Sequence, residues 1–196
     1  MTLDELISPI HGRLGVLERS GDQRVTIADL TDDSRKVGPG SLFVAVQGER
    51  VDGHQFLDPV VAAGAAAVVV QRSGDVGAIS CVRVQDSRAA LGILGSRFYG
   101  DPSSSLRMIG VTGTNGKTTT TYVVKTMLEA ARRRVGLIGT VAYLVGKESI
   151  PASHTTPGAL ELQKLFARMR EARLDTVVME VSSHALALDR VAGCEF

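Results

Sequence analysis

Only two cysteines occur in the 196 residues, Cys81 and Cys194, and neither lies in a CxxC pair or at ligand spacing from a histidine. A disulfide framework and a structural zinc site are therefore excluded, and each thiol reads as a small buried hydrophobe. Surplus charge is equally scarce: 22 basic residues face 21 acidic ones, a formal net charge of +1. Without clustered excess cation there is no broad electrostatic footprint for nucleic acid or an anionic membrane surface. Long apolar runs are missing too, since the longest, Val60 to Val70, is short and broken by Gly64. The opening residues MTLDELISPI lack a cationic start and an apolar signal core. The expected location is accordingly the cytoplasm, with no membrane insertion. Neither internal repeats nor low-complexity segments occur. With 44% hydrophobic and 22% charged residues, disorder, collagen and coiled coil are out, and the length suits one large or two small globular domains.

What is present alternates between helical and strand patterns. Thr2-Leu-Asp-Glu5 has capping-box spacing and predicts a short helix. Strands are expected at Val25 to Ile27 and Leu42 to Val46, the second preceded by the turn Gly38-Pro-Gly-Ser41. Gln55 to Ala63 has helical spacing closed by Gly64, and Ala65 to Val70 is an apolar run suited to a buried strand. Cys81 to Val84 reads as a strand, and Asp86 caps a helix through Tyr99. Gly100 to Ser105 collects turn formers and marks a domain boundary, giving domains 1–103 and 104–196. Beyond it the order is strand (Leu106 to Val111), glycine loop, helix (Lys117 to Ala131), strand (Val135 to Ile138), helix (Pro157 to Ala172), strand (Thr176 to Met179). Such alternation predicts an α/β fold with a parallel sheet covered on both faces.

The glycine loop is the chemical centre. Gly110-Val-Thr-Gly-Thr-Asn-Gly-Lys-Thr118 lies between an apolar strand and an amphipathic helix, where backbone amides and the helix N-terminus can wrap a polyphosphate. Gly113 and Gly116 let the main chain approach the phosphates without a Cβ in the way. Lys117 would reach the β- and γ-phosphates of ATP, and the Thr118 hydroxyl would hold Mg²⁺. The strict pattern GxxxxGK[ST] needs glycine where Val111 stands, so this is a variant P-loop. Glu180 follows the apolar strand Val177-Val-Met179 and would point into the crevice where open α/β sheets bind ligands, a second Mg²⁺ partner.

Other candidates carry less. Thr155-Thr-Pro157 is a good helix start, with Thr156 as cap and Pro157 at the first helical position, and capping and ligand contact both stay open for it. Arg132-Arg-Arg134 reads as a solvated helix end. A hydrolase reading of Ser182-Ser-His184 fails, because GxSxG is absent and a histidine so near in sequence cannot orient the serine. His11, His54 and His154 form no metal set.

Taken together, these residues resemble the Mur ligases, ATP-dependent enzymes that build the peptide of the peptidoglycan precursor. Asp33-Ser-Arg-Lys-Val-Gly-Pro-Gly-Ser-Leu-Phe-Val-Ala-Val-Gln-Gly48, followed by Asp52-Gly-His-Gln-Phe56, is similar to the N-terminal UDP-sugar domain of that family. Gly110 to Thr121 resembles its ATP loop, and His154-Thr-Thr-Pro157 with Met179-Glu-Val-Ser-Ser-His-Ala-Leu186 resembles segments of the members that add the third residue. The resemblance implies a small N-terminal α/β UDP-binding domain followed by a P-loop, parallel-sheet ATP-binding domain. It further implies that Asp32, Ser34, Glu49, Arg50 and Val51 contact the uridine nucleotide, and that Gly113, Thr114, Asn115, Gly116, Lys117, Thr118 and Thr119 bind ATP. His154, Thr155, Thr156, Ser182 and Arg190 would hold the sugar, its phosphates or the acceptor peptide; Lys117 and Glu180 would be catalytic, and Thr118 and Glu180 would hold Mg²⁺. The implied reaction is ADP-forming addition of a diamino acid (meso-diaminopimelate or L-lysine) to UDP-N-acetylmuramoyl-L-alanyl-D-glutamate, through an acyl phosphate. By the same resemblance, residue 196 falls inside the family's central domain, so the chain is expected to be truncated and incapable of ligation alone. A nucleotide- and UDP-sugar-binding module without turnover is the alternative from another class.

Overall fold

The computed structural model describes residues 1–48, 51–72 and 76–196. Its internal contacts divide the chain into two units, Met1–Phe98 and Tyr99–Phe196.

In the first unit the capping box forms as expected: the Glu5 amide donates to Thr2 Oγ1 (3.2 Å) and the Thr2 amide to Glu5 Oε2 (2.8 Å), opening α1 (Leu3–Ile7). A short α2 (His11–Leu14) ends at Gly15, whose left-handed φ of 59° glycine adopts without strain. There follow β1 (Val16–Ser20), β2 (Asp29–Thr31), β3 (Ser41–Val44), α3 (Leu57–Ala62), β4 (Ala67–Val70), β5 (Ser80–Val84) and α4 (Ser87–Phe98). The sheet order is β1-β5-β4-β3-β2, with β1 antiparallel and the rest parallel. Every residue of β3 and β4 is buried, which explains the apolar runs Leu42–Val44 and Ala67–Val70. Val60 of α3 meets Phe43, Val68, Val70 and Cys81 in the core.

Two expectations change in this unit. Val25 to Ile27 is not a sheet strand: the Val25 carbonyl accepts from the Leu3 amide (2.9 Å) and the Ile27 amide donates to the Met1 carbonyl (2.8 Å). The run lies along the N-terminus, and the strand falls instead at Asp29–Thr31. Strand β1 was invisible because it is an edge on which Leu17 and Glu18 are both exposed, so apolar and polar residues do not alternate. The helix expected from Gln55 begins as a 3₁₀ turn, Gly53–Phe56, capped by Asp52.

The second unit opens on a 3₁₀ turn at Pro102–Ser105. The composition break at Gly100 to Ser105 is not a loose linker, since Arg170 donates to the Tyr99 carbonyl (2.9 Å) and the Gly100 carbonyl (2.7 Å) and Ser103 is buried. Next come β6 (Arg107–Val111), α5 (Lys117–Ala130), β7 (Val135–Ile138), β8 (Ala142–Val145), β9 (Glu148–Pro151), α6 (Ala159–Glu171), β10 (Thr176–Glu180) and α7 (Ser183–Ala187). The order β6-β10-β7-β8-β9 is parallel across β6, β10 and β7 and antiparallel across β8 and β9. The sheet is thus mixed rather than wholly parallel: β8 and β9 form a hairpin turned at Gly146 (φ 62°), a geometry that glycine supplies without strain. Val177 and Met179 of β10 pack with Leu162, Phe166 and Met169 of α6. Both units are α/β with parallel-rich sheets, and among the described residues no helix is long and apolar enough to cross a membrane.

Helix α6 starts later than expected, at Ala159, with Gly158 as its cap and no side-chain capping bond. Thr156 is therefore not the cap. Cys81 is buried in one core as expected, whereas Cys194 is half-buried, packs against the other core and accepts from Gln163 Nε2 (3.6 Å); desolvation pushes its thiol up to about 12.

Candidate nucleotide and substrate clefts

Strand β6 delivers the chain at Val111 into the loop that ends at Gly116, the N-cap of α5. Gly113 (φ 143°) and Gly116 (φ 79°) hold conformations that a side chain would strain, so the glycines expected for close approach are required by the backbone itself. Lys117 Nζ donates to the Gly113 carbonyl (2.8 Å) across the loop. The loop faces an open cavity of about 410 Å³ lined by Thr112, Gly113, Thr114, Lys117, Ser182 and Ser183.

Next to the first turn of α5 lies Glu180, the last residue of β10, a strand between β6 and β7; it is only 1% exposed. Its carboxylate accepts from the Thr118 hydroxyl (2.9 Å), the Thr140 amide (3.0 Å) and the Thr140 hydroxyl (3.2 Å). The Thr140 hydroxyl also sits 3.1 Å from Thr155 Oγ1; with one proton it serves one acceptor, and the charged carboxylate is the stronger. A Cβ at Gly139 would run into Glu180 Oε1, so only glycine admits the carboxylate so close to the chain. Thr156, buried, donates to the Glu180 carbonyl (2.8 Å) and accepts from the Ser182 amide (3.1 Å). Arg190 Nη1 donates to the Thr156 carbonyl (2.9 Å), and Ser182 Oγ caps α7 by accepting from the Ala185 amide (3.1 Å). Fully engaged in this way, Thr156 cannot also cap α6.

The sequence-derived set Thr118, Thr155, Thr156, Glu180, Ser182 and Arg190 is thus brought into one hydrogen-bonded cluster. Thr114, Asn115 and Thr119 are exposed along the loop and first helical turn. His154 stands apart: its backbone is tied to the Tyr143 hydroxyl (2.8 and 3.0 Å), and its exposed ring reaches Ser153 Oγ (3.2 Å). Sequence reasoning missed Gly139 and Thr140. The available signal was their place, directly after the apolar strand β7, at the carboxyl end of a parallel sheet.

A second cleft, of about 630 Å³, belongs to the first unit and is lined by Asp32, Asp33, Ser34, Lys36, Val46, Gly48, Val51 and Phe56 among others. Asp33 caps the 3₁₀ turn Ser34–Lys36, accepting from the Arg35 amide (3.1 Å) and from its guanidinium (2.8 and 2.9 Å). The Arg35 guanidinium, ahead of the backbone bond and the Lys36 charge, holds the Asp33 carboxyl down at about 2. Of the residues assigned to the uridine nucleotide by resemblance, Asp32, Ser34 and Val51 line this cleft, whereas Glu49 and Arg50 lie outside the described residues.

A glycine loop opening a helix beside a buried carboxylate at the end of a parallel strand is the architecture of an α/β protein with a P-loop-like turn. Residues 26–99 match the Mur ligase family, catalytic domain, and residues 111–196 match the Mur ligase middle domain; the chain belongs to the Mur ligase family. The UDP-N-acetylmuramoyl-L-alanyl-D-glutamate--2,6-diaminopimelate ligase of Alkaliphilus metalliredigens is 47% identical over 197 residues, covering 100% of this chain and 39% of that protein. The ligase of the same name from Geobacillus thermodenitrificans is 45% identical over 196 residues, with the same coverage of 100% and 39%. A solved ligase of that name superposes with a TM-score of 0.80 at 26% identity, covering 99% of this chain and 38% of the other. The MurF ligase of Thermotoga maritima in complex with ADP superposes at 0.53 with 26% identity, over 81% of this chain and 32% of its own. The chain spans about 39% of the length of the curated relatives it matches.

Proposed function

We propose that this chain forms the UDP-sugar-binding and ATP-binding portion of a cytoplasmic, ADP-forming ligase that joins 2,6-diaminopimelate to UDP-N-acetylmuramoyl-L-alanyl-D-glutamate. Residues 1–103 take the uridine nucleotide through Asp32, Ser34 and the stretch Glu49, Arg50 and Val51, and residues 104–196 take ATP through Gly113 to Thr119. The observation that carries the reading is the Glu180 carboxylate, buried beside the glycine loop and bonded to the Thr118 hydroxyl at 2.9 Å.

Those two groups suit Mg²⁺. They are hard oxygen donors, and among the described residues no cluster of three or more His, Cys, Asp or Glu makes an all-protein cage. Mg²⁺ favours few protein oxygens completed by phosphate and water. Held there, the ion supplies charge neutralisation for the transferring phosphoryl group. Lys117 leaves the Gly113 carbonyl to meet the β- and γ-phosphates, and the loop amides and the N-terminus of α5 hold their charge. Thr155, Ser182 and Arg190, with His154 at the margin and the buried Thr156 holding Ser182 and Arg190 in place, orient the sugar diphosphate and its peptide so that the terminal carboxylate lies in line with the γ-phosphorus. That carboxylate attacks, ADP departs, and the resulting acyl phosphate is opened by the diamino acid amine with loss of phosphate. Activation is needed because a carboxylate is a poor electrophile.

The test is binding of a nonhydrolysable ATP analogue with Mg²⁺, measured by calorimetry. The unaltered chain is expected to bind, and Lys117→Ala to weaken binding about 10- to 100-fold, the worth of one charge-assisted contact. Absence of binding by the unaltered chain overturns the reading. Detectable amide formation by this chain alone would overturn the narrower claim that it is a binding portion.

A further inference from the structure

One rim of the cleft in the first unit carries Gly48 and Val51, and groups from elsewhere in the chain fasten the flanking residues Gln47 and Asp52. The Arg72 guanidinium spans them, Nη1 donating to Asp52 Oδ2 (2.7 Å) and Nη2 to Gln47 Oε1 (2.9 Å). Arg88 donates to the Gln47 carbonyl from α4. Behind Asp52 stands His54: its Nδ1 lies 2.7 Å from Asp52 Oδ1, and its Nε2 accepts the Gln71 amide (3.0 Å), so the proton sits on Nδ1 and is donated to the carboxylate. Gln71 directly follows β4, and Asp52 is thereby registered to the buried sheet. On the rim the Gly48 amide donates to the Val51 carbonyl (3.0 Å), and a Cβ on Gly53 would strike the Val46 main chain. Gly48, Val51 and Gly53 all line the cleft.

We propose that Arg72 is a positioning residue for the nucleotide: its fork clasps Gln47 and Asp52, the latter backed by His54, and holds the Gly48 and Val51 rim against a bound uridine nucleotide. The inference rests on the reading of this cleft as the uridine site. Two features separate such a role from general stability. Arg72 is 58% exposed, and an ion pair so open to water adds little to folding. The contact also requires two parallel donors, which lysine lacks.

Dissociation of UDP from the whole chain decides the matter. Arg72→Ala is expected to raise the UDP off-rate about tenfold, with the number of sites, the unfolding temperature and Mg²⁺-dependent ATP-analogue binding unchanged. Arg72→Lys is expected to restore only part of the loss. An unchanged off-rate overturns the proposal, as does full rescue by lysine, and so does a fall in the number of sites at constant off-rate, which would signify partial unfolding. If the unaltered chain binds no UDP, the uridine reading itself falls and the clasp goes with it; normal binding by the variants removes the clasp alone.

Discussion

A buried carboxylate makes demands on its neighbours that individual residues must meet. Glu180 is satisfied by two threonines, Thr118 and Thr140, with Gly139 clearing the space. Gly139→Ala should therefore cost about 1–3 kcal/mol in urea unfolding of the second unit, through overpacking against Glu180 rather than backbone strain. It should also weaken Mg²⁺-dependent nucleotide binding, because the carboxylate must move. In the first unit, Asp33 sets an acid limit. Its carboxyl is lowered in the fold to about 2 from 3.8, so it contributes stability that is full above pH 4 and lost as pH falls through about 2. The stability difference between the unaltered chain and Asp33→Asn should accordingly stay constant above pH 4 and shrink towards pH 2, as read by denaturant titration across that range.

Among the elements, the entry to α6 shows why propensity alone misplaces a function. Thr156-Pro157 has the residues of a helix start, yet the helix begins at Ala159 and the threonine joins β10 to α7. Its hydroxyl has two backbone partners in a buried place, which outweigh the single amide a cap would satisfy. Thr156→Val, which is isosteric, should cost about 1–3 kcal/mol by leaving the Ser182 amide and Glu180 carbonyl unpaired, while Thr156→Ser should cost less. Thermal unfolding of the two variants measures the difference. The hairpin β8–β9 was hidden for another reason: its outer strand, Glu148–Pro151, is mostly exposed and carries no apolar alternation.

On the scale of the whole molecule, each unit owns a sheet and a core. Phe43, Val60 and Val68 are buried in one, and Phe166, Val177 and Met179 in the other. A protein comprising residues 1–98 should fold cooperatively by itself and bind UDP, and a circular-dichroism melt with calorimetry checks both. Failure to fold would mean that the first core is insufficient without the rest of the chain.

The amino-acid sequence alone determined the features that depend on neighbours along the chain. These are the capping box at Thr2, the buried parallel strands and the glycine loop between β6 and α5, because backbone preference and local periodicity act over a few residues. Tertiary structure decided what depends on residues far apart. It gave Glu180 its partners Thr118 and Thr140, took Thr156 away from its helix, and let Arg72 reach back to Asp52 and Gln47. Side-chain hydrogen bonds of a few ångströms arise only once sheets have set strand ends and loops beside one another, and no spacing in the sequence encodes that distance.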